Sequence, residues 1–198
     1  LKRKGPKYEK IIDAAVSVIA ENGYHQSQVS KIAKKAQVAD GTIYLYFKNK
    51  EDLLVQVFNE KMGSFIEKSR KQLEEKSTAK EKLLTLIQLH FKLLNNDKEL
   101  SIVTQLELRQ TNRTLRAKIG EVLKQYLTLI DNILKEGIEK GEFTKDLDYR
   151  LARQMIFGTI DETATNWVMN EHHYDLPSLA KPVHQMLING LSNGALKQ

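Results

Sequence analysis

The chain has 198 residues, 28% of them charged and 41% hydrophobic, with no cysteine and a formal net charge of +6. That composition suits a water-soluble globular protein with room for one medium domain, or for a small domain fused to a larger one. It excludes a disulfide framework and a thiolate metal site, and with no secretory signal and no apolar run near the roughly 20 residues of a membrane span, a cytoplasmic location is expected.

The charge is unevenly placed. Residues 1–50 carry ten Lys or Arg (Lys2, Arg3, Lys4, Lys7, Lys10, Lys31, Lys34, Lys35, Lys48, Lys50) against four acids (Glu9, Asp13, Glu21, Asp40), and the rest of the chain holds 21 of each sign. A basic end on a neutral body is the footprint of a protein that meets phosphate at one end only, although a solvated basic face has the same composition. A nucleoid-coating protein would spread its charge along the chain.

Only Pro6, Pro177 and Pro182 interrupt the chain, and no long stretch alternates as strands do, so an all-α fold of about nine helices is predicted. Pro6 opens a first helix whose stripe Ile11, Ile12, Ala15, Val18 and Ile19 stops at Asn22-Gly23. Val29, Ile32, Ala33 and Ala36 mark the second. After a turn through Gln37, Ile43 and Phe47 anchor a third, of about two turns. Helix, tight turn and helix is a layout that presents a helix to the major groove of DNA.

A long helix follows from Glu51, with Leu54, Phe58, Met62, Phe65, Ile66 and Leu73 on its stripe. Thr78 and Glu81 form a capping box for the next, which carries Leu83, Leu84, Ile87, Phe91 and Leu94 and breaks at Asn95-Asn96-Asp97. A helix over roughly 97–110 precedes one capped by Asn112 and ended by Gly141. Residues 148–170 are apolar or small on most sides, which predicts a helix covered all round. Pro177 starts the last, with Leu179, Val183, Met186, Leu187 and Leu191 in its stripe and Pro182 about one turn in. A DNA-binding helix-turn-helix domain over 1–50 and a ligand-binding and dimerisation domain over 51–198, joined by the long helix, are expected.

Gly23-Tyr24, Ser27, Val29, Ile32-Ala33, Ala36, Val38, Gly41-Thr42-Ile43-Tyr44, Tyr46-Phe47, Lys50-Glu51 and Leu53 together resemble the signature of the TetR family of bacterial transcriptional repressors. Beyond it, Gln105-Leu-Glu-Leu-Arg-Gln110 and the run Arg153 to Glu162 resemble the acyl-CoA-responsive branch that represses fatty-acid degradation genes. The resemblance implies a dimeric repressor that binds a palindromic DNA operator, associates with the nucleoid when bound, and is released by long-chain acyl-CoA, with no catalytic cofactor. A repressor of an efflux or other catabolic operon that senses a different hydrophobic or cationic molecule is the alternative, kept open by Glu107, Asp161, Glu162 and Trp167.

The candidate DNA contacts are Ser27, Gln28, Lys31, Asp40, Gly41, Thr42, Tyr44, Tyr46 and Lys50. Gly41 lets backbone approach the duplex, Thr42 offers a hydroxyl and a methyl, and Tyr44 is read either as a phosphate contact or as core. Lys50 precedes a helix N-terminus, where a cation and free backbone donors can hold a phosphate. Two positions depart from the family. Gln37 stands where relatives have Gly in a left-handed turn, at a cost of about 1 kcal/mol. Ala39 replaces a Ser or Thr cap, so the cap is lost or passes to Asp40, which could instead accept from a cytosine amino group.

For the effector, Phe91, Leu94, Val103, Leu106, Met155, Phe157, Ile160 and Trp167 are candidates for an apolar tunnel, each with plain core as its rival reading. Arg109, Arg113 and Arg153 are candidates for phosphate, since planar guanidinium donors bind it in pairs, and a salt bridge from Arg153 to Glu162 is the rival there. Gly158, Thr159, Ala164 and the stripe from Leu179 to Leu191 predict a homodimer through the last two helices, with recognition helices about 34–36 Å apart. No metal is expected from His25, His90, His172, His173 and His184, whose spacing suits no ion, and no nucleophile elbow or Gly-rich phosphate loop supports an enzyme.

Overall fold

The computed structural model describes residues 4–191. Lys2 and Arg3 of the basic segment, and the end of the expected 51–198 domain, lie outside the described residues. Within them the fold is all helical: α1 (Pro6–Gln26), α2 (Val29–Lys35), α3 (Asp40–Ile43), α4 (Lys50–Glu74), α5 (Ala79–Asn96), α6 (Lys98–Glu107), α7 (Arg113–Glu139), α8 (Tyr149–Met169) and α9 (Ala180–Leu191), with a one-turn 3-10 helix at Leu176–Leu179 before α9.

Contacts divide the chain into two compact units, Leu1–Ser64 with Asp97–Val122 and Phe65–Asn96 with Leu123–Gln198. The units are not contiguous in sequence, unlike a division at residue 50. In the first unit α6 packs along α1, so residues far from the basic segment fold together with it. Its core is built on Ile11, Ala15, Ile32, Ile43, Phe47 and Leu54, all buried, and Tyr8 stacks on Phe47 with ring centroids 5.2 Å apart. Lys61 on α4 reaches Asp13 on α1 at 2.6 Å, and the Tyr8 hydroxyl donates to Glu60 Oε1 at 3.0 Å.

Local signals set the helix ends. Gly23, at φ 72° and ψ 156°, breaks the regular run of α1 near its end, in a region of backbone space that side chains exclude. The Thr78 box closes both ways: Glu81 N–H donates to Thr78 Oγ1 and Thr78 N–H to Glu81 Oε2, each at 3.1 Å. Asp97 caps α6 by accepting from Leu100 N–H at 2.9 Å, and Asn112 caps α7 by accepting from Leu115 N–H at 3.0 Å. Gly141, at φ 72°, ends the turn after α7. Asp148 caps α8 through the N–H groups of Arg150 and Leu151.

In the second unit α5 packs against α8, α9 and the 3-10 helix. A long-range cap secures its start, where the Glu142 carboxylate accepts from the N–H groups of Ala79 at 3.0 Å and Lys80 at 3.1 Å. Trp167 is fully buried and donates from Nε1 to the Tyr174 carbonyl at 2.7 Å, which holds the loop that returns to α9. Two residues of that loop, Glu171 and His172, sit at positive φ, and His172 rests edge-on against the Trp167 ring at 4.2 Å.

Two expectations need correction. α3 spans a single helical turn rather than two, since after Ile43 the chain tightens through Tyr44 to Tyr46 before Phe47 enters the core. α8 is not covered all round: Leu151, Met155 and Met169 are 54%, 59% and 65% exposed in the single chain. With Met186 on α9, 75% exposed, they give α8 and α9 a bare apolar face, and Leu151, Met155 and Met186 line a groove there.

Candidate nucleic-acid interface and effector unit

The turn between α2 and α3 carries the departure expected at Gln37. Its φ is 57°, so a side-chain-bearing residue holds the left-handed position that favours glycine. The turn closes through Val38 N–H to Ala33 O at 3.0 Å. Ala39 is the N-cap of α3 and provides no side-chain cap. Asp40 is the first helical residue and does not take over as cap, because its side chain sits inside the first turn rather than ahead of it. Its carboxylate is exposed, at the helix end where the macrodipole favours a negative charge.

The remaining candidates sort by exposure. Gln28, Lys31, Asp40 and Gly41 are exposed and Thr42 half-buried. Tyr44 is 53% exposed, which excludes its core reading. Tyr46 is half-buried, with its ring 6.1 Å from Tyr8 and 6.3 Å from Phe47, so its body packs and only its edge is presented. Lys31 Nζ reaches Asn22 Oδ1 at 3.3 Å on the surface.

Two candidates behave otherwise than expected. Ser27 is 1% exposed, and its hydroxyl donates to Val18 O at 3.1 Å and Gly23 O at 2.8 Å. The same carbonyls also accept from Asn22 Nδ2 at 2.9 Å and from the Ser27 backbone N–H at 3.2 Å, and they hold the hydroxyl inside the α1–α2 turn, where it meets no phosphate. Lys50 turns inward: Nζ donates to the His25 carbonyl at 3.0 Å and lies 4.6 Å from the centroid of the Tyr24 ring, with desolvation pushing its pKa down. The start of α4 is capped from its own sequence, with Asn49 Oδ1 accepting Asp52 N–H and Asp52 Oδ2 accepting Lys48 N–H, each at 2.8 Å.

The same junction receives a residue the sequence reading did not assign to it. Glu107, at the end of α6, accepts the Tyr24 N–H on Oε1 at 2.8 Å, and its Oε2 accepts from Gln110 Nε2 at 2.5 Å. Burial, together with the charges of Glu51 and Glu107, pushes the Tyr24 phenol up to about 12. Gly23 and the polar run Gln105 to Gln110 were the two available signals, but nothing in the sequence joins them. Gln110 is buried, and its carbonyl accepts from Arg116 at 2.9 Å, so part of that run is an internal network.

The effector candidates fall in both units. In the second, Phe91, Leu94, Ile160 and Trp167 are buried and Phe157 half-buried. There His90 Nδ1 and the Tyr126 hydroxyl lie 3.0 Å apart in a buried pair. Phe65 meets both rings and Phe157 meets Tyr126, with centroids 5.7 to 6.1 Å apart. Burial holds His90 down at about 4, so it is neutral at pH 7. Met155 belongs to the bare face of α8 rather than to an interior. Arg153 pairs with Asp131 at 2.8 Å instead of Glu162, because Asp131 on α7 comes to its side while Glu162 is exposed on a later turn of α8. In the first unit Val103 is buried, Leu106 is 46% exposed and therefore no interior wall there, and Arg109 and Arg113 are exposed.

Among the described residues no helix is long and apolar enough to cross a membrane, and no group of three or more His, Asp or Glu could hold a metal ion.

A family model for bacterial regulatory proteins of the tetR family matches residues 11–57, and one for the C-terminal region of YsiA-like proteins matches residues 58–190. The chain belongs to the TetR family. TetR-family proteins are transcriptional regulators with a helix-turn-helix unit rather than enzymes. The chain is 64% identical over 193 residues to the fatty acid metabolism regulator protein of Bacillus subtilis strain 168, across 98% of this chain and 100% of the relative. It matches the crystal structure of the transcriptional regulator FadR from Bacillus subtilis in complex with stearoyl-CoA with a TM-score of 0.91 and 65% identity, over 93% of this chain and 99% of that one. The fatty acid degradation regulator FadR of Bacillus halodurans matches with a TM-score of 0.90 and 64% identity, over 93% and 99%.

Proposed function

We propose that the chain is a dimeric repressor of fatty-acid degradation genes that binds a palindromic operator and leaves it when long-chain acyl-CoA binds. The observation that carries this reading is the match over nearly the whole chain, at 65% identity, to a FadR structure holding stearoyl-CoA. Identity at that level extends through both family models, so it bears on the effector part as well as on the DNA-binding part.

Residues 1–50 act as the DNA-binding domain and 51–198 as the ligand-binding and dimerisation domain in this reading. Gln28, Lys31, Asp40, Gly41, Thr42, Tyr44 and the edge of Tyr46 meet the duplex. Tyr44 and Thr42 supply hydroxyls, and Gly41 a close backbone approach. Within the second unit, Phe91, Leu94, Phe157, Ile160 and Trp167 provide apolar surface for an acyl chain. The bare face of α8 and α9 pairs with its symmetry mate, which would cover the exposed Leu151, Met155 and Met186 that line one apolar groove. Acyl-CoA releases DNA by binding the DNA-incompetent state more tightly. The protein works in the cytoplasm, at the nucleoid while bound.

Native mass spectrometry of the purified chain tests the reading. A dimer carrying a long-chain acyl-CoA in each protomer is the expected species. A monomer, or a dimer that takes up a cationic or aromatic compound but no acyl-CoA, contradicts it.

A further inference from the structure

The basic residue at the head of α4 and the carboxylate at the end of α6 meet at the same two residues, Tyr24 and His25, where α1 ends. Lys50 holds this junction from one side, through the His25 carbonyl at 3.0 Å and the face of the Tyr24 ring at 4.6 Å. Glu107 holds it through the Tyr24 N–H at 2.8 Å. The junction needs such support because the break at Gly23 removes regular helical geometry just ahead of Tyr24. A second bond fixes α6 along the same helix, from the Ser17 hydroxyl to Glu99 Oε1 at 3.0 Å. α1 is therefore gripped by carboxylates near both ends of α6, and α2, the first helix of the helix-turn-helix, begins five residues beyond the second grip.

We propose that Lys50 and Glu107 are positioning residues that bolt the α1–α2 junction, so that a side chain of α6 sets operator affinity without touching DNA. The inference rests on the DNA-binding reading above. A lysine at a helix start beside a duplex would ordinarily neutralise a phosphate, but here one of its three donors is held by the His25 carbonyl and its head lies over the Tyr24 ring, which aims it at the junction. The Glu107 charge attracts the Lys50 ammonium, but its hold on the junction is the hydrogen bond: a net negative charge on this unit opposes DNA, whereas a buried amide left without its acceptor loosens the junction. Replacing Glu107 by Gln keeps an oxygen for the Tyr24 N–H and gives up the side-chain acceptor of Gln110 Nε2, which retains the backbone carbonyl of residue 107 at 3.2 Å. Ala removes the acceptor altogether. The two substitutions delete the same charge, so any difference between them reports the bond.

The test uses the full chain and a duplex selected by the wild-type protein from random sequence, with fluorescence anisotropy at several salt concentrations. Stearoyl-CoA binding without DNA serves as the probe of the effector unit. Glu107→Ala is expected to weaken operator binding about tenfold with an unchanged salt slope and unchanged stearoyl-CoA affinity, and Glu107→Gln to stay within about threefold of wild type. Lys50→Met is expected to weaken binding at an unchanged slope, and the Lys50→Met/Glu107→Ala double variant to lose less than the product of the single losses. A fall of about 0.9 in slope for Lys50→Met would make Lys50 a phosphate anchor and overturn the proposal. Equal behaviour of the Ala and Gln variants, or strictly multiplicative losses, would overturn it too. Should Glu107→Ala not fold, the Lys50→Met slope decides alone. A wild-type chain that selects no duplex overturns the DNA-binding reading, and this inference with it.

Discussion

Glu107 Oε1 accepts the backbone N–H of Tyr24 at 2.8 Å, across 83 positions of sequence. That bond attaches the end of α6 to the residue that follows the break in α1, and it accompanies the packing of α6 along α1 that groups residues 97–122 with the basic N-terminal segment. α1, on which α2 packs, is thereby joined to a part of the chain outside residues 1–50.

Gly23 makes the bond geometrically possible. At φ 72° and ψ 156° it occupies backbone space essentially reserved for glycine, while an added Cβ would meet only Glu107 Oε1, at 4.0 Å. The cost of Gly23→Ala is therefore conformational rather than steric. A loss of roughly 2 kcal/mol in urea unfolding is expected, together with weaker operator binding.

Gln37 is the opposite case, a side chain where glycine would be at ease. Its side chain is exposed and its φ is 57°. Gln37→Gly should raise stability by about 1 kcal/mol, with the relief of left-handed strain exceeding the extra entropy of the unfolded chain. A thermal melt checks it.

Gly137 permits the closest packing in the second unit. A Cβ there would lie 2.2 and 2.3 Å from carbons of the Phe143 ring and 3.0 Å from Ala79 Cβ. Phe143 is fully buried, and both Glu142 and Phe143 donate backbone N–H groups to the Gly137 carbonyl, so the ring has little room to retreat. Gly137→Ala should cost about 2 kcal/mol or more by unfolding titration.

His90 links stability to pH. Its folded value of about 4 lies below the ordinary 6.5 because burial among Phe65, Phe91 and Tyr126 disfavours the cation. The unfolded chain therefore binds the extra proton first. The contribution is fully present above pH 6.5 and is lost as pH falls towards about 4, by on the order of 3 kcal/mol. His184, also lowered by burial, acts in the same direction. Urea titrations between pH 4 and pH 7 should show a shallower pH dependence for His90→Gln than for wild type.

Helix order and most helix ends were legible in the sequence, because periodicity and caps are local: the Thr78 and Glu81 box, Asn112 and Gly141 all serve as their spacing implied. Gln37 was legible too, through a family position that asks for glycine. Side-chain partners were not. Whether Lys50 meets a phosphate or the His25 carbonyl depends on how α4 approaches α1, and Arg153 finds Asp131 because α7 lies beside α8. The inward turn of the Ser27 hydroxyl depends on how the chain turns after Gly23 and brings it to the Val18 and Gly23 carbonyls. α8 read as buried all round because its composition does not distinguish a face covered by its own chain from one left bare on a single protomer, as Leu151 and Met155 are.

The central claim, an operator-binding protein released by acyl-CoA, is tested most directly by a gel-shift titration. A duplex selected by the protein is held at saturation while palmitoyl-CoA, free palmitate or a cationic dye is added. Release by palmitoyl-CoA alone is the predicted result; a complex that survives every long-chain acyl-CoA, or one released equally by free palmitate or the dye, would contradict it.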